Sequence, residues 1–289
     1  MHRQLANRAG VSLKPEYFAD VLDTDRSKTT RSGLWFEVHP ENYMTCGGPR
    51  LRGLLDIAEQ YAISLHGVSA SLGGPDLTPD EHLTQLKSLI ARVDPVSVSE
   101  HAVWSRFGGR YFAELLPLPR TAEALTSLVN GVDHMQNALG RQILLENPAN
   151  YLPLKSEMDE PDFLVHVAKK TGCGLLIDVS NIFVSANNCG IDASSYIKSI
   201  PADVVGEIHV AGFDPDPRLG KRLLIDSHGS AVSESVWQLL SIALQHYGSK
   251  PVLVERDTNL PDFNVLLAER DRADAMLEID KSDERYVLA

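Results

Sequence analysis

Histidines and carboxylates recur at one kind of position in this chain, the ends of its short apolar runs. Glu37 and His39 close the run 33–39, His66 the run 62–67, and Glu100 with His101 the run 96–102. Glu146 and Asn147 close 142–147, Asp178 and Asn181 close 174–179, His209 closes 205–210, and Glu255 with Asp257 closes 251–256. Carboxylates gathered in one place repel one another, so protons or cations must neutralise them. Imidazoles among carboxylates, with no cysteine at any run end, suit a divalent transition metal bound through nitrogen and oxygen: iron, manganese or zinc. Farther along, Asp226-Ser227-His228 adds two more donors. In extended chain, positions i and i+2 point the same way, so this pair would bind one ion together.

Each of these residues has a plainer reading when taken alone. A single strand histidine is more often a hydrogen-bonded core residue than a ligand. The recurrence favours ligands, because packing alone does not explain why acids and histidines recur at the same end of these runs. Glu100, adjacent to His101, should point away from it and is read as structural. Glu37 and His39 fit either substrate contact or a polar rim. His82, His134, His166 and His246 fall inside helical patterns and receive no role. Cys173 reads as a small buried residue, and Cys189 lacks a partnered base that would make it a nucleophile.

These residues need elements that bring them together. The runs read as strands at 10–14, 33–39, 62–67, 96–102, 142–147, 174–179, 205–210 and 251–256. Several are almost continuously apolar, as expected of parallel strands covered on both faces. Helical patterns separate most of them, at 15–22, 50–62, 78–93, 121–139, 159–172, 233–248 and 261–277. Thr78, Pro79 and Glu81 predict a capping box with proline at the first helical position. Gly131 weakens its helix, and Gly172 marks a stop. The stretch 181–204, rich in Asn, Ser and Gly, predicts only one short helix near 193–199. Eight strands alternating with helices predict an α/β fold, a (β/α)8 TIM barrel forming a single domain over 1–279, with 280–289 as a C-terminal tail. In such a barrel every strand's C-terminal end opens on one mouth, so the run-end residues converge there. No GxGxxG or Walker loop follows the first strand, which removes the usual nucleotide cradles.

Composition narrows the partners. The chain has 289 residues, and one barrel of about 250 would use nearly all of them. Lys plus Arg is 27 against 39 Asp plus Glu, a net charge of −12. That balance disfavours nucleic acid, which is bound through a basic face, and docking on an anionic membrane. Three scattered cysteines make neither a disulfide framework nor a CxxC metal site. No run approaches the ~20 apolar residues of a membrane helix, and residues 1–10 show no apolar signal core, so a cytoplasmic location is expected.

Nine ordered segments give the chain a family likeness: EVHPENYM (37–44), SLHGVSASLG (64–73), SEHAVW (99–104), LLPLP (115–119), LLENPANYL (144–152), GCGLLIDVSN (172–181), EIHVAGF (207–213), DSHG (226–229) and LVERD (253–257). Together they resemble the multinuclear non-heme iron-dependent oxidative enzymes, long known as domain of unknown function 692, including the methanobactin- and bufferin-type peptide-modifying members. The resemblance spans about residues 8–275. It implies a barrel holding two or three iron ions, with molecular oxygen as co-substrate. It places one iron on Glu146, Asp178, His209 and Glu255, and a second on His66 and His101 with Glu146 bridging. A third would use Asn181, Asp226 and His228. The family pattern there is DVNN, whereas this chain has DVSN; serine is a poor neutral ligand, so the role falls to Asn181 rather than Ser180. Asp257 is implied as a catalytic candidate, either orienting a ligand or accepting a proton. The resemblance further implies a ribosomally made, cysteine-containing precursor peptide as substrate, with Asp or Asn as less usual targets, and a small partner protein bearing the peptide-recognition element.

Two other classes share these residues. A divalent-metal sugar isomerase or hydrolase on the same barrel would use much the same acids and histidines, although no lysine is expected at a strand end to shuttle protons. A non-catalytic metal store would need only the ligands. Oxygen uptake separates the three, since only the oxidative enzyme consumes oxygen with its peptide.

Overall fold

The computed structural model describes residues 7–23 and 33–287, with side chains as far as Glu278. In chain order the elements begin β1 (Ala9–Ser12), α1 (Phe18–Asp23), β2 (Trp35–Val38), α2 (Pro49–Ala58), β3 (Ala62–Gly67), α3 (Asp80–Val93) and β4 (Ser97–His101). Next come β5 (Trp104–Phe107), β6 (Arg110–Leu116), α4 (Ala122–Leu139), β7 (Leu144–Glu146), α5 (Glu160–Thr171), β8 (Gly174–Asp178), α6 (Val179–Cys189) and α7 (Ala193–Ser199). The chain continues through β9 (Val205–Ala211), β10 (Asp214–Asp216), β11 (Gly220–Ile225), α8 (Glu234–Tyr247), β12 (Val252–Glu255) and α9 (Phe263–Val287). Strands β1, β2, β3, β4, β7, β8, β9 and β12 pair in parallel and close into a barrel in that order. All eight expected strands form it. Among the described residues no helix is long and apolar enough to cross a membrane.

Period-two alternation divides the work of each strand. Val11, Val38, Leu65, Val98, Leu145, Ile177, Val210 and Val254 face outward and share one buried apolar cluster with the helices. The alternate positions face the barrel axis, where small barrels are usually filled with branched aliphatics. Here that interior holds Glu37, His66, His101, Glu146, Asp178, Glu207, His209 and Glu255, all buried. Trp35 fills the floor, and Gly10 is glycine because a Cβ there would sit 2.4 Å from the indole ring.

Several local expectations change. Thr78 forms no capping box: its hydroxyl donates to the Ala70 carbonyl (2.8 Å), tying down the β3–α3 loop. Pro79 is instead the cap position, and α3 starts at Asp80. Gly131 does not interrupt α4, where a Cβ would lie 2.0 Å from the Leu72 carbonyl oxygen; close packing requires the glycine. The stretch after β8 is more ordered than its Asn- and Ser-rich composition predicts, because α6 begins directly at the strand end. Asp178 caps it by accepting from the Asn181 N–H, and Val179, Ile182 and Val184 are buried. Short-range propensity loses to capping and burial there. Two antiparallel hairpins, β5–β6 and β10–β11, were not expected. The first turns at Gly108-Gly109, both at positive φ, a two-residue signal that the sequence does contain. Finally, α9 runs through Val287, into the segment expected to be a tail.

Candidate metal centre

Strand register assembles the site. Asp178 lies opposite His209 across β8 and β9, and His101 opposite Glu146 across β4 and β7. His66 and His101 each use one ring nitrogen for anchorage. The His66 Nδ1 meets Ser99 Oγ at 2.8 Å, and the His101 Nδ1 donates to the Gly67 carbonyl at 3.0 Å. Both Nε2 atoms then face one oxygen, Glu146 Oε2, at 2.9 and 3.2 Å. Anchoring one nitrogen in this way aims the other at a metal. The two rings stand 4.5 Å apart between centroids. His209 lies across the bowl, its Nδ1 3.3 Å from Glu255 Oε2.

The other expected donors also point inward. Asn181 donates through Nδ2 to the Asn147 carbonyl (3.0 Å) and leans on Glu146 Oε1 at 3.4 Å. Ser180 turns away, exchanging hydrogen bonds with the backbone of Ala211. Asn147 joins β7 to β8 through both amide atoms. Asp226 and His228 do meet, with His228 Nε2 2.7 Å from Asp226 Oδ1, but not because the segment is extended. Strand β11 ends at Ile225 and His228 sits at φ 48°, so a bend brings the pair together. Asp226 is steadied by its N–H, which donates to the Tyr151 hydroxyl. Among the described residues, three-donor groups of acids and histidines whose ligand atoms lie within 4.8 Å include His66–Glu146–His209 and Asp178–His209–Glu255. Asp226 and His228 belong to no such group.

Whether these residues fit a cation is testable on their unused atoms. Glu146 Oε2, Asp178 Oδ2, Asn181 Oδ1, His209 Nδ1, Asp226 Oδ1, His228 Nε2 and Glu255 Oε2 are buried without a hydrogen bond. Some lie at ion-pair distance from a neighbour but lack hydrogen-bond alignment. Buried polar atoms are nearly always satisfied, so this concentration of orphans in one bowl fits cations as the missing partners. The donors are nitrogen and oxygen throughout, and the three cysteines stand elsewhere as free thiols.

Charges balance only in part without metal. Burial opposes ionisation of His66, but Glu146 and Glu37 outweigh it and lift its pKa to about 10. Burial would raise Glu146, yet His101 and His66 hold its carboxyl at about 2. For Asp178 the relief falls short: burial, with Glu146 and Asp226 nearby, outweighs His228 and His209 and pushes it up to about 7. A divalent ion would remove that strain by displacing protons from imidazoles and carboxyls alike.

Glu100, expected to point away from His101, reaches back to it: its carboxylate accepts the N–H groups of Ala70 and His101 and lies 3.7 Å from His101 Nδ1. Glu37 is not at the rim. It lies below the centre with Glu207, their Oε1 atoms 3.5 and 3.4 Å from His209 Nε2, and Ser64 Oγ donates to Glu37 at 2.8 Å. Glu207 went unrecognised, although the spacing Glu207-Ile208-His209 puts it on the inward face with His209. His39 does lie at the rim, 3.6 Å from Glu255 Oε1. Asp257 lies 3.3 Å from His228 Nδ1 and pairs with Lys14. Burial and Glu255 push its pKa up, but His228, His39 and Lys14 outweigh them and bring it to about 2. Lys14, just past β1, corrects the expectation that no lysine stands at a strand end. His134 and His246, left without a role, use Nε2 on backbone carbonyls away from the bowl.

Comparison with known proteins gives the family setting. A family model described as "RiPP precursor modification enzyme MbnB/TglH/ChrH" matches residues 8–278. A UPF0276 protein of Caulobacter sp. (strain K31) is 50% identical over 270 residues, covering 93% of this chain and 96% of the relative. One from Bordetella bronchiseptica is 44% identical over 275 residues, covering 94% and 93%. Among solved structures, an L-ribulose 3-epimerase superposes with TM-score 0.60 at 13% identity, covering 98% of each chain. Endonuclease IV from Thermus thermophilus superposes with TM-score 0.55 at 15% identity, covering 92% and 99%. At such identities these structures share the barrel alone.

Proposed function

The chain belongs to the RiPP precursor modification enzyme family MbnB/TglH/ChrH, and from that premise we propose that it oxidises cysteine in a ribosomally made precursor peptide, using two or three iron ions and molecular oxygen. The observation that supports this most is the bowl of buried, unsatisfied nitrogen and oxygen donors at the barrel mouth. Glu146, Asp178, His209 and Glu255 would hold one ion, and His66 and His101 a second, with Glu146 shared. Asn181, Asp226 and His228 would hold a third; Asn181 and Asp226 line one cavity of about 300 Å³ with His101. Bound iron would supply open coordination positions and a path for electrons from the substrate to molecular oxygen, which is reduced.

The residues of the chain do the positioning. Ser99 and Gly67 fix the rings of His66 and His101. Asp257, ionised and paired with Lys14, holds the His228 ring from its Nδ1 side. An acid held at about 2 is a poor proton acceptor near neutrality, which favours orientation over proton transfer for Asp257. The cavity above His101 gives a cysteine side chain access to the bowl while the strands behind it exclude water. A small partner protein would deliver the peptide.

The test is anaerobic loading with ferrous iron, addition of a cysteine-containing precursor and its partner protein, then oxygen. The expected result is oxygen uptake coupled to a change in peptide mass. Unchanged mass from fully loaded enzyme would defeat the reading, and turnover of a sugar without oxygen uptake would favour the isomerase class.

A further inference from the structure

Strand β6 is unlike every other strand in the molecule. Six of its seven residues are exposed and the seventh is half-buried, yet it contains Tyr111, Phe112 and Leu115, which are 46%, 40% and 38% exposed. Among the described residues it pairs only with β5, through Phe107–Arg110, Arg106–Tyr111 and, after a register shift, Trp104–Leu116. The far edge of β5 is taken up: Ser71 Oγ accepts the N–H groups of Ser105 and Arg106 at 2.7 and 2.9 Å. The far edge of β6 is open.

Antiparallel alternation says which groups lie on that edge. Next to the two-residue Gly108-Gly109 turn, Phe107 and Arg110 face each other, so the backbone groups of Tyr111 point away from β5; beyond Tyr111 the register shifts, and Phe112 to Leu115 oppose Ser105 alone. Across that bulge the Glu114 carbonyl points inward and accepts from Ser105 Oγ at 2.8 Å. Among the described residues the outward groups have no backbone partner. Tyr111, Ala113 and Leu115 also line the cavity of about 300 Å³ whose other wall includes His101, Asn181 and Asp226. Charged side chains and bulges commonly blunt an exposed edge, and β6 carries Arg110, Glu114 and a register shift, but Tyr111 to Ala113 leave an uncharged stretch between the two charges.

We propose that an extended segment of the substrate peptide adds to the free edge of β6 as a third strand, which lays its cysteine over the metal centre. This rests on the peptide-modifying reading above. Strand addition recognises main chain, so affinity would come from backbone hydrogen bonds along the stretch from Tyr111 to Ala113. Side chains would alternate, one set against the cavity wall and the next toward solvent. The occupant is a peptide because the edge is continuous with the cavity that opens on the donors, and its groups match only another extended backbone.

The experiment uses iron-loaded enzyme with a cysteine-containing precursor peptide that it modifies and, where required, a partner protein. The precursor is made synthetically with a single backbone N-methyl group moved residue by residue around its cysteine. Pairing predicts that KM rises about five-fold at every second position and is unchanged between them. Ala113→Pro, which removes the N–H of a residue lining the cavity, should raise KM by a similar factor with iron content unchanged, whereas Ala113→Gly, which keeps it, should not. A flat N-methyl profile in active enzyme overturns edge pairing and leaves the peptide-modifying reading standing. A wild-type enzyme that never alters the peptide mass overturns both. Should Ala113→Pro lose iron or melt early, the N-methyl profile decides, since it leaves the enzyme unaltered.

Discussion

Ile208 and His209 are neighbours on β9 and face opposite surroundings. Ile208 is fully buried in the apolar layer beneath the helices, and His209 is fully buried among Glu37, Glu207 and Glu255. The same division runs through Leu65 and His66 and through Val254 and Glu255. One face of each strand holds the barrel together; the other assembles donors whose mutual repulsion works against folding. The pleat lets both faces coexist, and a slip of one residue in register would exchange them.

The largest effect should come from crossing the two faces. Ile208→Ala should lower stability by about 2–5 kcal/mol, measured by denaturant unfolding, while the folded fraction keeps its full complement of iron. His209→Ala should do the reverse, folding well but losing iron measured by elemental analysis. If both variants lost iron equally, the separation of faces would fail.

Within the inward face, the proposed sharing of Glu146 by two sites predicts that Glu146→Ala removes more than one equivalent of iron, whereas His228→Ala removes at most one. Equal losses would mean that Glu146 does not bridge.

Acidity distinguishes the inward face next. In chelator-stripped protein, His66 stabilises the fold fully below its unfolded value of 6.5 and loses that contribution as pH rises through about 10. Glu146 contributes above its unfolded value of 4.5 and loses this as pH falls through about 2. Asp178, raised to about 7, costs stability progressively as pH climbs from 3.8. Melting temperature should therefore peak between pH 4.5 and 6.5 and fall toward alkaline pH. Iron should flatten the alkaline side, since its binding favours the deprotonated imidazoles and carboxylates. Identical profiles with and without iron would place the titrating groups elsewhere.

The smallest expected effect is at the rim. Asp257→Asn should keep most of the iron and lower kcat about ten-fold by loosening His228. A bell-shaped pH profile that loses its acid limb in this variant would instead restore Asp257 as a proton acceptor.

Much of this was legible in the sequence, and for a physical reason. Strands buried on both faces are ordinarily apolar throughout, so an acid or histidine ending such a run, as His66 ends the run from Ile63 or Asp178 the run from Leu175, declares both strand and donor. The eight strands, their single mouth and the inward donors follow from that local rule. What lay beyond it depended on contacts distant in the chain. The hydroxyl of Thr78 was claimed by Ala70, Gly131 answered to the Leu72 carbonyl, and α6 formed because Asp178 capped it against a buried face. Residue type and spacing thus determined which groups could bind a metal. Only closure of the barrel decided which nitrogen of each ring faces inward, that Glu37 and Glu207 sit beneath His209, and that β6 stands open-edged over the bowl, because orientation is set by partners that chain order does not specify.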